Sequence, residues 1–202
     1  MTTIAPEGSL ALDESAQDLL FREARTANAF TGAPVTDERL RAIHELMKWG
    51  PTAMNSQPLR LVAVRGAQAR ERLVPLMNEG NRAKTATAPL TLIVAADEDF
   101  HEHLPTVIPT KPGVREAMEG NPGRPAMARL NAALQLGYLI VAIRAAGLAA
   151  GPMSGFDAAA VEREFLGGSQ RAIAVVNIGE PGPGAWAERN PRLAYEQVVT
   201  TV

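Results

Sequence analysis

Residues 49–58 read "WGPTAMNSQP", with Pro51 and Pro58 framing Thr52, Asn55, Ser56 and Gln57 and no ionisable group between them. The stretch lies between a run with helical periodicity and a short β-rich run. Solvated loops usually carry charge, so this crowd of neutral hydrogen-bonding groups needs a reason. One reason is local: Asn and Ser often cap their own turn. The other is a ligand whose edge offers uncharged donors and acceptors. The loop alone leaves both open.

The flanking sequence sets the scaffold. Upstream, "TDERLRAIHELMKW" predicts a helix capped by Thr36, with Asp37 and Glu38 in its first turn and an apolar stripe of Leu40, Ile43, Leu46 and Met47. Downstream, residues 59–65, "LRLVAVR", predict a strand. "LTLIVAAD" at 90–97 is apolar throughout, as in a strand covered on both faces. "AQARERLVPLM" predicts a helix that Pro75 bends or ends. "DESAQDLLFREART" predicts another, with Asp13 or Ser15 near its start. Residues 105–125, rich in Pro and Gly, predict a long loop, either a lid, a binding segment or disordered. The longest helix is expected over 126–147, with Gly147 as its stop. "GPMSGFD" at 151–157 predicts a turn, Asp157 caps a helix over "DAAAVEREFL", and "AIAVVNIG" predicts a buried strand. The tail "RLAYEQVVTTV" has no partner evident in sequence; it docks on its own domain or on a second subunit. No repeat or linker divides the chain, so residues 1–202 read as one domain with a flexible N-terminus at 1–12.

Composition narrows the function. The 202 residues are 46% apolar and carry a net charge of −2, which gives no electrostatic reason for nucleic acid or an anionic membrane as partner. There is no cysteine, which removes disulfides and thiolate chemistry and suits a cytoplasmic setting. Arg144 interrupts the longest apolar stretch, 132–150, so that stretch reads as a core or interface helix, not a membrane span.

Most catalytic patterns fail. Gly179, Gly182 and Gly184 follow a strand, but Pro181 and Pro183 forbid the helix a dinucleotide fingerprint requires. No Walker A or nucleophile-elbow motif occurs. His101 and His103 lack a third ligand at a plausible spacing, so no metal site is expected. His44 reads as a helix-surface histidine, and Glu162 and Glu164 as solvated helix acids. With no nucleophile or acid–base pair evident, a cofactor is the natural carrier of any chemistry.

Three separated segments then point one way: "EARTANAF" (23–30), "GPTAMNSQP" (50–58) and "GPMSGFD" (151–157), followed by "NPRL" at 190–193. In order and spacing the chain resembles the FMN-dependent nitroreductase family from about residue 19 to 195. "LMKWGPT" and "GPMSGFD" suggest its malonic semialdehyde reductase, or 3-hydroxypropanoate dehydrogenase, branch. The resemblance implies an α+β fold with a central mixed sheet flanked by helices, and an intertwined homodimer with FMN at its interface. It implies NADH or NADPH as hydride donor and a small-molecule acceptor: an aldehyde acid, with a quinone or nitroaromatic as the alternative. A non-catalytic flavin-binding module is the further alternative.

By position, Arg25, Thr26 and Asn28 take the FMN phosphate and pyrimidine side, helped by Arg192. A guanidinium fork and a hydroxyl suit a phosphate. The family usually has bases where this chain has Ala24 and Asn28. Asn55 matches the residue that reaches the flavin ring; Gln57 and Pro58 shape the loop, and Thr52 and Ser56 add donors. Gly155 presents its N–H toward flavin N5, where hydride arrives and leaves, with Pro152, Met153 and Ser154 lining the same face. Lys111, Arg115 and Arg124 are candidates to meet a carboxylate acceptor.

Overall fold

The structure is a computed structural model and describes residues 10–202; residues 1–9 of the expected flexible N-terminus lie outside the described residues. Asp13 caps α1 (Glu14–Gln17) by accepting from the Ala16 N–H, and the chain continues as a single π-helical turn over Asp18–Arg22. This helix ends before the predicted residue 26, because the next residues run extended along the sheet. Thr36 caps α2 (Asp37–Met47). Ile43 and Met47 are buried, but Leu46 is 53% exposed, so the apolar stripe is narrower than predicted.

β1 (Leu59–Val64) follows, then α3 (Ala67–Leu73), which passes into a short 3₁₀ turn around Pro75. α4 (Glu79–Thr87) precedes β2 (Leu90–Asp97), which is buried along its whole length. The predicted long loop at 105–125 instead holds α5 (Leu104–Val107) and α6 (Val114–Met118). Its Pro and Gly residues punctuate helices: Pro105 lies in the first turn of α5, and Gly113 precedes α6 with φ +77°. α7 (Arg124–Ala145) ends before Gly147, whose φ is +74°. β3 (Ala149–Met153) takes in residues expected to be a turn. α8 (Ala158–Phe165) is capped by Asp157, and β4 (Gln170–Gly179) and the short α9 (Tyr195–Val198) complete the chain.

The strands form one sheet in the order β1-β2-β4-β3. All three ladders are antiparallel, so the described sheet is not the mixed one expected. Apolar side chains fill both faces. Leu90, Leu92, Val94 and Ala96 of β2 face α2 and α7, while Ile93 faces the layer holding Leu73 and Val161. A bulge between Val94 and Ala95 shifts the pairing with β4 by one residue.

α7 is long and apolar enough to cross a membrane by composition. Here it packs on α2 and the sheet, and its buried face carries the amides of Asn131 and Gln135. Its outward face leaves Leu130, Leu134 and Tyr138 exposed, one helical turn apart.

Candidate functional site

The predicted site residues fall into two groups at opposite edges of the sheet. The first lies beside β3. Residues 25–31 touch its edge and then the segment that follows β4: the Ala27 N–H donates to Ala150 O at 3.2 Å, the Asn28 N–H to Ala185 O at 2.9 Å, and the Thr31 N–H to Glu180 O at 2.8 Å. Gly151 permits this approach, since a Cβ there would lie 2.8 Å from the Ala27 carbonyl oxygen. Arg25 is half-buried, and Thr26 and Asn28 are exposed.

α4 closes this group from the other side. A buried polar chain fixes the helix to the sheet: Thr91 Oγ1 donates to Asn177 Oδ1 at 2.8 Å, and Asn177 Nδ2 donates to Thr85 Oγ1 at 3.2 Å. With Thr85 held inward, Lys84 Nζ comes within 3.5 Å of Asn28 Oδ1. Asn81 Nδ2 donates to the Gly155 carbonyl at 2.9 Å, and the Asn78 N–H donates to the same oxygen at 3.0 Å. The Gly155 N–H has no acceptor among the described residues. A Cβ on Gly155 would sit 2.8 Å from Asn81 Nδ2, so a side chain there would push the Asn81 amide from its place on the Gly155 carbonyl.

Sequence reasoning missed Asn81 and Lys84. The available signal was their three-residue spacing in "NRAK", which puts an amide and a cation on one helix face. Lys84 supplies, from another element, a charge absent at Ala24 and Asn28. Of the remaining predicted residues, Ser154 is exposed and Pro152 half-buried beside Gly155. Met153 departs from expectation: the residue is 7% exposed, and its sulfur lies 3.9 Å from Thr85 Oγ1 inside the core. Strand alternation turns this residue inward. Arg192 bonds only to the Asn190 and Pro191 carbonyls among the described residues; Arg189 is the base that reaches this segment, at Ala24 O.

The second group is the loop before β1. Met54, Asn55 and Gln57 all have positive φ (56°, 46° and 42°). Left-handed backbone costs a non-glycine residue about 1–2 kcal/mol, less for Asn, so surrounding contacts must hold the loop. Thr52 Oγ1 accepts the Gln57 N–H at 3.2 Å, and Gln57 Nε2 donates to Asn55 Oδ1 at 3.0 Å. Asn55 Nδ2 donates to Val107 O in α5 at 2.9 Å. Ser56 Oγ is buried without a hydrogen-bond partner. The local explanation offered by the sequence is realised, since the polar groups shape the turn; the turn is also held in a strained form, which recurs at ligand sites.

Register measures the gap between the groups. Leu59 pairs with Ala96, whereas Gly151 pairs with Asn177, which pairs with Thr91 beside Val64. Three strand spacings, about 14 Å, separate the groups across the sheet, and the Gly151 end of the first is offset along the strands from Leu59 by five residues at ~3.4 Å each, an offset that shrinks toward Met153, which lies level with Val62.

His101 and Glu102 meet Glu119, with ligand atoms within 4.8 Å of one another, a third potential ligand that spacing did not suggest. Guanidinium groups already neutralise these acids. Arg115 forks Glu102 at 2.8 and 2.7 Å, and Arg124 Nη1 lies 3.0 Å from His101 Nε2. Arg115 and Arg124 are thus engaged in the fold, which leaves exposed Lys111 as the remaining loop base of the three.

Comparison with known proteins gives a concordant result. The model of the nitroreductase family matches residues 21–180. A candidate NADH dehydrogenase/NAD(P)H nitroreductase of Streptomyces griseus is 58% identical over 195 residues, covering 96% of this chain and 100% of that one. A Streptomyces coelicolor protein of the same description is 60% identical over 195 residues, with the same coverage. Among solved structures, a candidate nitroreductase of Bacillus subtilis superposes with TM-score 0.83 at 22% identity, covering 94% of this chain and 100% of that one. A candidate nitroreductase from Exiguobacterium sibiricum, solved in complex with FMN, gives TM-score 0.83 at 16% identity, covering 95% and 98%. With four-fifths of the chain inside the family model and whole-length relatives at this level of identity, the chain belongs to the nitroreductase family.

Proposed function

We propose that the protein is an FMN-dependent NAD(P)H oxidoreductase whose pocket is assembled from the Arg25 group of one chain and the Asn55 loop of a second copy. The observation that carries this reading is the separation of the two groups to opposite sheet edges in a family member. An exposed apolar strip supports the second copy: Leu46, Trp49, Leu130, Leu134 and Tyr138 face outward, with Tyr138 packed against Gly50 at the head of the loop.

The residues fit FMN. Arg25 and Lys84 supply positive charge for a phosphate or an electron-rich pyrimidine edge, and Thr26, Asn28 and Asn81 supply neutral hydrogen bonds. The relatives' names include NADH and NAD(P)H, and one structural neighbour holds FMN, which supports the same cofactor pair here. Bound FMN supplies hydride transfer between the reduced nicotinamide and the acceptor. The protein's part is to bind, orient and exclude water. The Gly155 N–H has no acceptor among the described residues and is available to the ring, and Asn55 and Gln57 present amides to the ring edge without adding charge. Fixed donors of this kind stabilise charge as it develops.

Malonic semialdehyde, giving 3-hydroxypropanoate, is the acceptor favoured by "LMKWGPT" and "GPMSGFD". The names of the relatives favour a nitroaromatic instead. Relative kcat/KM for malonic semialdehyde, a quinone and a nitroaromatic, with NADH and NADPH each as donor, tests the assignment. Preference for the aldehyde acid supports the branch reading; preference for the nitroaromatic overturns it. No turnover of reduced nicotinamide with any acceptor, despite bound FMN, leaves a flavin-binding module.

A further inference from the structure

Asn131 and Gln135 lie one turn apart on α7 and are 2% and 4% exposed. Buried carboxamides on an otherwise apolar helix face are unfavourable unless bonded. Both are bonded, and both to the ends of the same loop. Asn131 Oδ1 accepts the Ala53 N–H at 2.7 Å, while its Nδ2 donates to Met127 O at 2.8 Å and so fixes the amide's orientation. Gln135 Oε1 accepts the Leu59 N–H at 3.0 Å. Between these two grips lie the left-handed residues Met54, Asn55 and Gln57. The β1–β2 ladder already sets register at this sheet edge, so the grips add restraint on the loop beyond what the strand needs.

We infer that Asn131 and Gln135 are positioning residues: they hold residues 53–59 in the left-handed turn that aims the Asn55 and Gln57 amides at the flavin ring, and so set ring recognition from beneath without touching it. This rests on the flavin reading of the loop. α7 thereby has two tasks, its inner face clamping the loop and its outer face carrying the apolar strip.

The test uses Asn131→Leu and Gln135→Met, near-isosteric changes that keep the core filled. In the ligand-free protein, the Ala53 amide in Asn131→Leu and the Leu59 amide in Gln135→Met should exchange with solvent about tenfold faster, with β2 and β4 amides unchanged. FMN affinity of Asn131→Leu should fall by about tenfold. That loss should vanish in a background carrying Asn55→Ala with Gln57→Ala, because the clamp acts through those two amides, and should persist in an Arg25→Ala background. Unchanged exchange at Ala53, or a loss from Asn131→Leu that simply multiplies with that of the Asn55→Ala, Gln57→Ala pair, would overturn the inference. Faster exchange throughout β2 and β4 would reduce these residues to general core support and overturn it likewise. A wild-type protein that binds no FMN would instead sink the flavin reading, and the exchange data alone would then judge the clamp.

Discussion

The segment around Arg25 and the loop around Asn55 are built from opposite materials. The first has ordinary backbone, two cations from different elements, and a glycine whose carbonyl is fixed by hydrogen bonds from Asn78 and Asn81. The second has no charge, three strained residues, and a pair of buried amides beneath it. The difference follows the two ends of an FMN molecule. A phosphate is recognised by charge, which tolerates some imprecision because Coulomb attraction falls off slowly. A heteroaromatic edge is recognised by neutral hydrogen bonds, which weaken steeply with misalignment, so the backbone presenting them has to be stiff.

That contrast is open to direct attack. The largest effect is expected where both halves depend on the apolar strip. Leu134→Glu should yield a monomer with no measurable FMN binding, read by light scattering and fluorescence titration; a monomer that keeps its flavin would remove the second chain from the pocket. Arg25→Ala should weaken FMN by about 1.5–3 kcal/mol, the range for a lost bond to a charged group, and more so at low salt. Asn55→Ala should cost about 1 kcal/mol with little salt dependence, as for a neutral bond. Equal salt slopes for these two variants would erase the distinction between the halves.

Gly155→Val should slow reduction by the nicotinamide and destabilise the fold by about 1–3 kcal/mol through overlap with Asn81, seen in stopped-flow traces and thermal melts. The smallest effect lies behind the loop's anchor at Val107. Arg115 holds the Glu102 carboxyl below the usual carboxylate range. A lowered folded-state value favours the native state above the unfolded value, and that contribution fades as acid protonates the group. Glu102→Gln should therefore flatten slightly the acid limb of stability as pH falls from the ordinary glutamate value of 4.5 through the lowered folded value, and an unchanged acid limb would show that the pair contributes nothing measurable.

The sequence disclosed most of this unevenly, for physical reasons. β2 was legible because every residue is apolar and buried, and α2 because Thr36 and its acids mark the start. α4 was invisible: "EGNRAKTAT" buries only Thr85, so no apolar stripe announces it, yet it brings Asn81 and Lys84 to the site. β3 was hidden by Gly151 and Pro152, read as turn residues. β3 is an edge strand, where proline's missing N–H costs no ladder bond. Residues 105–125 misled in the reverse sense, because their Pro and Gly residues delimit short helices instead of one continuous loop. Of the candidate site, the Arg25 segment and the Asn55 loop were found by resemblance, while the amides that hold the loop could not be seen without the packing of α7 beneath it.

The central claim is that each pocket takes one half from each chain, and subunit complementation tests it most directly. Arg25→Glu chains and chains carrying Asn55→Ala with Gln57→Ala would be co-expressed with different tags, and the mixed dimer purified and titrated with FMN. If the halves come from different chains, one pocket of the mixed dimer carries both lesions and the other carries none, so wild-type affinity should return at half the sites. If both halves come from the same chain, every pocket keeps one lesion, and the mixed dimer would bind no better than its parents.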